Sequence, residues 1–494
     1  MSLLVAVVLL YPIALIGVSL WRSRAVKTHE DFMVAGRSVP VALLVATLVC
    51  TWIGSGSLFG GAGLAYRSGL PELWFSFGGW IGLVVAYFIA GRVRRIAQYT
   101  VPDLLEQRYN AAARLLGTLA VILAYVTIAA YQFRGGGWIL SIVSDGRISP
   151  QTGIYITAAA IVIFTALAGM VSIVTVDIVN GVIITVGVLV ALPLMVAHVG
   201  GLEALGDALP AGHLSVFGQH NPLWALGVAT PTFLLILGES GMYQKFFAAK
   251  NERAARQAVI GMVIGIMVIE TALALLSIVG RAAYPDLLTQ TSVVGRAASE
   301  TIVLHIAKTG LPVAAGALLL AAGIAIVLTT GNTFLLVPST NVSRDIYQRF
   351  VNPAASEARL LAVQRAFVVV FGLAGLFLLT QFQTVLSMAL YAYSLVGASL
   401  TPALLAAFLW KRVTAPGAVA CIAGGLASIV GISLLGRLGV DFTITFAGTD
   451  FDFASSDYIV IPAVALSLSL LVVVSLLTPP SPPDKLKPFL QEEA

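Results

Sequence analysis

Charged residues are scarce in this 494-residue chain, and so are cysteine and histidine. Asp, Glu, Lys and Arg make up 10% of it, against about a quarter of an average soluble domain. The two cysteines, Cys50 and Cys421, fall inside apolar segments, which excludes a disulfide-stapled fold and indicates small buried hydrophobic side chains. All five histidines lie at the ends of apolar segments or between them, so neither an intramembrane histidine metal site nor an enzyme is expected.

Long hydrophobic runs replace the missing charge, since 59% of the residues are hydrophobic. The runs are long enough to cross a bilayer as helices. They predict an all-α, polytopic membrane protein with about thirteen transmembrane helices, over residues 3–21, 40–66, 70–91, 112–143, 150–170, 172–199, 222–247, 257–280, 311–339, 361–380, 384–410, 415–436 and 457–477. The first run lacks a small-residue cleavage site, so we expect a retained span rather than a signal peptide.

The distribution of lysine and arginine predicts the orientation. With the N-terminus outside, the inner segments hold 21 of the 28 basic residues, as the positive-inside rule requires. We therefore expect a multi-pass protein of the plasma membrane (the inner membrane of a bacterium), with a cytoplasmic C-terminus. The net charge of +5 then follows from topology, and the partner it indicates is the lipid bilayer rather than nucleic acid. Pro479–Pro483 predicts an extended cytosolic end.

A polar cluster, Thr329–Thr333, interrupts one of the most apolar runs. Polar side chains in hydrocarbon need partners and often mark a functional surface. Hydroxyl and carbonyl oxygens are the ligands that hard cations prefer, so the cluster is a candidate ion site. The alternative is helix packing, because small and hydroxylated residues let membrane helices approach closely.

Two spans carry interruptions. Five glycines fall between Gly54 and Gly63 in the second span, and Gly238–Gly241 interrupts the seventh. Because the two spans lie five apart, they cross in opposite directions, which is the sequence pattern of an inverted-repeat secondary transporter. Two glycine-rich packing faces are the alternative. The expected division is 1–39 (peripheral helix and loop), 40–199 (first repeat), 200–221 (extracellular loop), 222–410 (second repeat), 411–478 (peripheral helices) and 479–494 (cytoplasmic tail).

Several motifs resemble the sodium:solute symporter family. They occur in the family's order across residues 31 to 420 and are Asp31–Arg37, Thr51–Gly63, Tyr99–Tyr109, Tyr243–Lys250, Thr329–Tyr347 and Gly397–Pro402. The resemblance implies a LeuT-type core of five plus five helices, with three peripheral helices.

The resemblance also implies a sodium site between the broken second span and the Thr329 cluster. Its ligands would be the backbone carbonyls of Cys50, Ile53 and Ile326 with the hydroxyls of Thr329 and Thr330. The spacing agrees independently, because Ile326, Thr329 and Thr330 stand at i, i+3 and i+4 and so share one helical face.

A second ion site occurs in some family members, and the resemblance assigns its carboxylate to Asp177. An aspartate this deep in an apolar span is a functional hypothesis in itself. Its partners would be Asn332 and Thr333, with Thr329 one turn away. Many relatives carry Asp at the position of Asn332. Asp177 therefore binds a second sodium ion, binds a proton, or pairs with a cation.

The solute is expected at the break in the second span, where Trp52, Gly54 and Ser57 match substrate-contacting positions of similar transporters. Sugar-binding relatives have Gln at the Ser57 position, so a sugar is less favoured. Trp52 could stack on a ring or cover a methyl-rich cation. Arg134 either binds an anionic solute, pairs with Asp177 or Glu239, or reaches the outer surface. Glu239 likewise either contacts the solute or has a structural role.

These expectations combine into a sodium-coupled symporter that imports a small organic solute, a carboxylate or an amino acid, by alternating access. The alternatives are a proton-coupled transporter of the same fold, or a carrier of a quaternary amine or sugar. A sensor is disfavoured because only seventeen residues follow Leu477. A monomer is expected.

Overall fold

The structure is a computed structural model, and it describes residues 3–23, 37–96, 98–167, 170–290, 296–446 and 449–490. The Asp31 motif lies outside the described residues except for Arg37. The described chain is almost entirely helical. Its strands are β1 (Thr443–Phe446) and β2 (Thr449–Asp452), which pair as an antiparallel hairpin.

The helices follow in chain order. The first half of the chain contains α1 (Leu3–Ser23), α2 (Val41–Trp52), α3 (Gly56–Ser68), α4 (Leu73–Ile96), α5 (Val101–Arg108), α6 (Ala111–Val143), α7 (Pro150–Leu167), α8 (Met170–His198), α9 (Leu202–Ala208), α10 (Pro222–Gly238) and α11 (Ser240–Ala248). The second half contains α12 (Glu252–Ala283), α13 (Leu287–Gln290), α14 (Arg296–Ser299), α15 (Ile302–His305), α16 (Val313–Asn341), α17 (Glu357–Leu379), α18 (Val385–Leu409), α19 (Ala415–Arg437), α20 (Val460–Leu477) and α21 (Pro483–Leu490).

Side-chain caps explain where several helices begin. The Asn110 side chain accepts the Ala113 N–H at 2.9 Å at the start of α6, and Asn251 accepts the Ala254 N–H at 2.8 Å at the start of α12. Each cap satisfies one of the amides that a helix leaves without an internal partner. The caps thus fix where these two helices begin, and α12 starts more than one turn before the apolar run predicted from residue 257.

The predicted spans agree with the observed helices. In the described residues eleven helices are long and apolar enough to cross a membrane, and α2 with α3 forms a twelfth as a bent pair. Helix α1 coincides with the remaining predicted run. Most predicted ends differ from the observed ones by only a few residues. The division of the chain into repeat and loop regions stays a prediction.

The two predicted interruptions are breaks in the helices. Between α2 and α3 the axis turns by 52°. At Glu239, between α10 and α11, the backbone leaves the helical region at φ −71° and ψ 104°. Helix α16 packs against α6 and α8, and α2 packs against α8 and α12. The first break therefore lies inside the bundle.

An ion-pair network ties α5 and α6 to the helical segment Val342–Val351, which follows α16 directly. Arg114 lies 2.6 Å from carboxylate oxygens of Asp103, Glu106 and Asp345. Partial burial favours a higher pKa for Glu106, but hydrogen bonds from Arg349 and Arg114 hold that pKa below its ordinary value. The stability that Glu106 contributes is thus present above the pKa of an unfolded glutamate and is lost as the pH falls through the lowered folded value.

The C-terminal segment corrects one expectation. Residues 479–482 are non-helical, but the extended end predicted from the prolines does not continue beyond them, since residues Pro483–Leu490 form helix α21. Phe489 is 1% exposed and packs edge-on against Phe408, with ring centroids 5.5 Å apart. The prediction was wrong because burial of an aromatic side chain favours an ordered segment, whatever the local proline content.

The network predicts a large loss of stability for Arg114→Met. The substitution leaves three carboxylates at one site without their shared cation, and breaking a buried pair costs about 3–5 kcal/mol. Chemical unfolding of the purified protein in detergent measures the loss. Arg95→Met is the matched control, because Arg95 pairs with Glu252 while about a third exposed, and it should cost under about 1 kcal/mol. Equal losses for the two variants would contradict the prediction.

Candidate sodium and solute site

The break between α2 and α3 frees backbone groups in the middle of the bundle. Non-helical backbone at this depth requires partners from the surrounding protein. Gln132 on α6 supplies one, since its side-chain oxygen accepts the Ser55 N–H at 3.0 Å and the Ser55 hydroxyl at 2.6 Å. Gly54 allows the close approach, because a Cβ there would lie 2.9 Å from the Thr330 methyl carbon.

The five groups predicted for the first sodium site form two contacting sets. The Thr330 hydroxyl donates to the carbonyls of Cys50, at 3.3 Å, and Ile53, at 3.2 Å. The Thr329 hydroxyl lies 3.4 Å from the Ile326 carbonyl and also donates to Ala325 at 2.7 Å. All these residues are buried. The structure therefore joins the break to α16 through oxygen atoms.

The donor set fits a sodium ion. Every group in it is a neutral oxygen, which is the ligand type that hard cations accept. The described residues place no lysine or arginine among these contacts. Sodium binding by this set remains a prediction.

Three of the four residues predicted for a second site line another, narrow cavity. Asp177, Asn332 and Thr329 line it, together with Asn180. Asp177 Oδ2 accepts a hydrogen bond from the Thr47 hydroxyl, while its Oδ1 has no hydrogen-bond partner in the described part of the chain. An unpartnered buried carboxylate oxygen fits a site that takes a cation or a proton.

Thr333 does not join this cavity. Its methyl group faces α11, where a Cβ on Gly241 would lie 3.3 Å away. Asn332 does line the cavity, and its side-chain oxygen accepts a hydrogen bond from Thr165 on α7 at 2.9 Å. Consecutive residues of a helix point about 100° apart, so Asn332 and Thr333 cannot serve the same small site easily.

Lys245 is a neighbour of Asp177 that the sequence analysis missed. It is fully buried on α11, and its ammonium donates to the Thr47 carbonyl at 2.7 Å. It interacts electrostatically with both Asp177 and Glu239. The signal was present, because Lys245 lies inside a quoted motif among apolar residues. Asp177 thus has a cationic neighbour, which agrees with the interpretation that Asp177 pairs with a cation.

A narrow central cavity adjoins the break. Its lining residues are Leu48, Thr51, Trp52, Tyr131, Leu235, Glu239, Met242, Met262, Thr330, Phe334 and Tyr393. The Trp52 and Tyr393 rings stack at 6.4 Å, and Phe75 stacks on the other side of Tyr393 at 6.0 Å. An apolar cavity with a few convergent polar groups is the usual form of a small-molecule site.

Of the predicted solute residues, Trp52 and Glu239 line the cavity, whereas Gly54 and Ser57 lie beside it. Glu239 also caps α11, since it accepts the N–H groups of Gly241, at 2.9 Å, and Met242, and the Tyr125 hydroxyl at 2.6 Å. Ser57 donates to Glu270 at 3.2 Å. Glu239 therefore has a structural role and a surface on the cavity at the same time.

Arg134 does not reach the cavity. Its guanidinium donates to the carbonyls of Leu379, at 2.7 Å, and Phe382, at 2.8 Å, at the end of α17. It also interacts with Glu300, whose carboxylate caps the start of α18 and whose pKa is raised by burial. The described contacts thus match the structural reading of Arg134, although its partner is neither Asp177 nor Glu239.

Glu270 is the other functional candidate that the sequence analysis missed. It lies in the middle of α12, is 4% exposed and accepts the Trp52 indole N–H at 2.9 Å. The rule that singled out Asp177, a lone acid in an apolar run, applies equally to Glu270. Tyr131 and Tyr393 carried no such signal, because aromatic residues are common in any membrane core.

Broken helices that cross inside a helical bundle are the pattern of an inverted-repeat secondary transporter of the LeuT type. Solved structures share this fold. A Na⁺-coupled sialic acid symporter in a substrate-bound outward-open state matches with a TM-score of 0.78 at 17% identity, over 97% of this chain and 99% of that one. Mhp1, a nucleobase-cation-symport-1 family transporter, matches with a TM-score of 0.56 at 13% identity, over 92% and 97%.

The model of the Sodium:solute symporter family matches residues 32–425, and the chain belongs to that family. Similar proteins include the osmoregulated proline transporter OpuE of Bacillus subtilis (strain 168), 23% identical over 95% of this chain and 94% of that protein. The sodium/pantothenate symporter of Escherichia coli (strain K12) is 27% identical over 84% and 88%. The protein is therefore a sodium-coupled membrane symporter and not an enzyme. Its orientation in the membrane stays a prediction.

The position of Arg134 predicts a stability defect without a change in solute recognition. Arg134→Gln should lower stability by about 1–3 kcal/mol, because buried carbonyls lose charged donors. Thermal unfolding and solute competition assays measure the two effects separately. Arg147→Gln, at an exposed loop position, is the control and should change neither. If the variant instead loses anionic solute binding at unchanged stability, Arg134 belongs to the solute site and the prediction is wrong.

Proposed function

We propose that the protein couples inward sodium movement to the import of a small amino acid by alternating access. One observation carries the sodium part, namely that the Thr330 hydroxyl lies within hydrogen-bonding distance of both the Cys50 and Ile53 carbonyls. An ion held by these groups joins the broken α2–α3 pair to α16. It stabilises the one conformation in which the two are correctly spaced.

The cavity supports an amino acid over a simple carboxylate. Its lining contains one formally charged side chain, that of Glu239, and no arginine or lysine. An acidic wall attracts an ammonium group and repels an unaccompanied anion. The names of OpuE and of the Escherichia coli sodium/proline symporter agree with this class.

A quaternary amine is the second candidate solute. The Trp52 and Tyr393 rings are the side chains that recognise methylated cations, and Glu239 supplies the complementary charge. A proton-coupled mechanism is distinguished from the sodium mechanism by imposing sodium and pH gradients separately on reconstituted vesicles.

One prediction concerns the sodium dependence of uptake and the part of Thr330 in it. In proteoliposomes with an inward sodium gradient, uptake of labelled L-proline and of a panel of amino acids and quaternary amines should require sodium. Thr330→Ala and Thr329→Ala should each weaken apparent sodium affinity about tenfold or more, which is about 1.4 kcal/mol, because each variant removes one oxygen ligand of the ion. Thr443→Ala, on the exposed hairpin, is the matched control. Uptake that is unchanged when sodium is replaced by potassium would refute the proposal.

A further prediction distinguishes two roles of Asp177, binding a second sodium ion and balancing the charge of Lys245. Asp177→Asn keeps the shape but removes the charge that faces Lys245. If Asp177 holds a second sodium ion, the dependence of uptake on sodium becomes less steep, and the sodium-to-solute ratio from paired flux measurements falls. If Asp177 only balances Lys245, the variant should lose thermal stability while the ratio stays constant. A variant that matches the parent in both measurements would exclude both roles.

A further inference from the structure

Two carboxyl groups beside the solute site have no role in sodium binding. Glu72 ends the one-turn helix that precedes α4, and Glu270 lies in the middle of α12. They are 3% and 4% exposed. A buried carboxylate is costly unless it is paired or neutralised. Each of the two therefore requires an explanation.

Glu270 is surrounded by hydrogen-bond donors. Its Oε1 accepts the Trp52 indole N–H at 2.9 Å and the Ser57 hydroxyl at 3.2 Å. Its Oε2 accepts the Trp80 indole N–H at 2.8 Å. An indole can only donate, so two of the three partners favour an acceptor-only group. This is the environment of an ionised carboxylate.

Glu72 has the opposite environment. Its Oε1 accepts one hydrogen bond, from the Ser76 hydroxyl at 3.2 Å. Its Oε2 is buried and has no hydrogen-bond partner among the residues that the structure describes. Gly61 packs so closely that a Cβ there would lie 2.9 Å from Glu72 Oε1. A carboxyl group with so few donors is stable when protonated and costly when ionised.

The two groups act on each other. Glu72, Ser76 and Trp80 stand at i, i+4 and i+8 and so share one face of the span Leu70–Ile96. Ser76 donates to Glu72 and Trp80 donates to Glu270, so the two carboxyl groups bond to side chains one helical turn apart on that face, where two negative charges would repel each other. In the described part of the chain neither forms an ion pair, and Tyr393 on α18 is the further titratable group that interacts with Glu270. The charged groups on the neighbouring elements have other partners: Arg67 with Glu300, Arg281 with Tyr66 and Pro285, and Asp177 with Lys245.

We propose that Glu72 and Glu270 form a proton-binding site that holds one proton, carried by Glu72 while Glu270 stays ionised. Two adjacent carboxylates in a low-dielectric interior do not both ionise, and the donors select the one that does. Release of the proton would place a second negative charge next to the Glu270 carboxylate that holds Trp52 and Ser57. The site thus links proton occupancy to the broken α2–α3 segment.

Infrared difference spectroscopy of the purified protein tests the site with the proton itself as the ligand. The parent protein should show the carbonyl band of a protonated carboxylic acid at neutral pH, and Glu72→Gln should remove it. In Glu270→Gln the band should titrate at lower pH, by about one unit or more, because the repelling charge is gone. Glu203→Gln, on exposed α9, should leave both the band and its midpoint unchanged.

The outcomes separate this site from sodium symport. An unchanged band in Glu72→Gln, or an unchanged midpoint in Glu270→Gln, overturns the proposal. A band that disappears on adding sodium at constant pH also overturns it, since the pair would then bind sodium. Should Glu72→Gln fail to fold, the midpoint in Glu270→Gln decides alone. Neither result depends on the identity of the solute or on sodium-driven uptake.

Discussion

The need to satisfy backbone carbonyls inside a membrane bundle is the constraint on which the rest of this structure depends. Where α2 ends, the carbonyls of Cys50 and Ile53 lose their helical partners, and bilayer hydrocarbon offers no substitute. The Thr330 hydroxyl fills this position. Because one side chain of α16 meets both carbonyls, the break, the sodium-type donor set and the solute cavity lie at one place.

Two sets of buried charged side chains also have partners of opposite charge. At one end of the bundle Arg114 holds three carboxylates together, whereas at the centre Lys245 interacts electrostatically with Asp177 and Glu239. Each buried charge therefore belongs to a group that constrains how helices can move against each other. The central groups lie on α8, α11 and the break at Glu239, which are the elements that alternating access must rearrange.

The fold was largely predictable, because span length and glycine breaks are local properties of a sequence. The first sodium-type set was also predictable, since Ile326, Thr329 and Thr330 share a helical face and the family resemblance supplied Cys50 and Ile53. Arg134 and Thr333 were not, because their surroundings depend on which neighbouring helix they face. Lys245 and Glu270 were missed although each is an ionisable residue in an apolar stretch, which is the signal that singled out Asp177. Glu72 lies near a span end in the sequence, and only its buried, donor-poor surroundings distinguish it.

Hydrogen exchange of the backbone amides from Ile53 to Ser57 tests the central claim most directly. If Thr330 and the carbonyls at the break hold sodium, sodium slows the exchange of these amides in the parent protein and potassium does not. Thr330→Ala then abolishes the sodium effect. Sodium protection of equal size in the parent and in Thr330→Ala would contradict this claim, because the ion would then be held without the contact that joins α16 to the break.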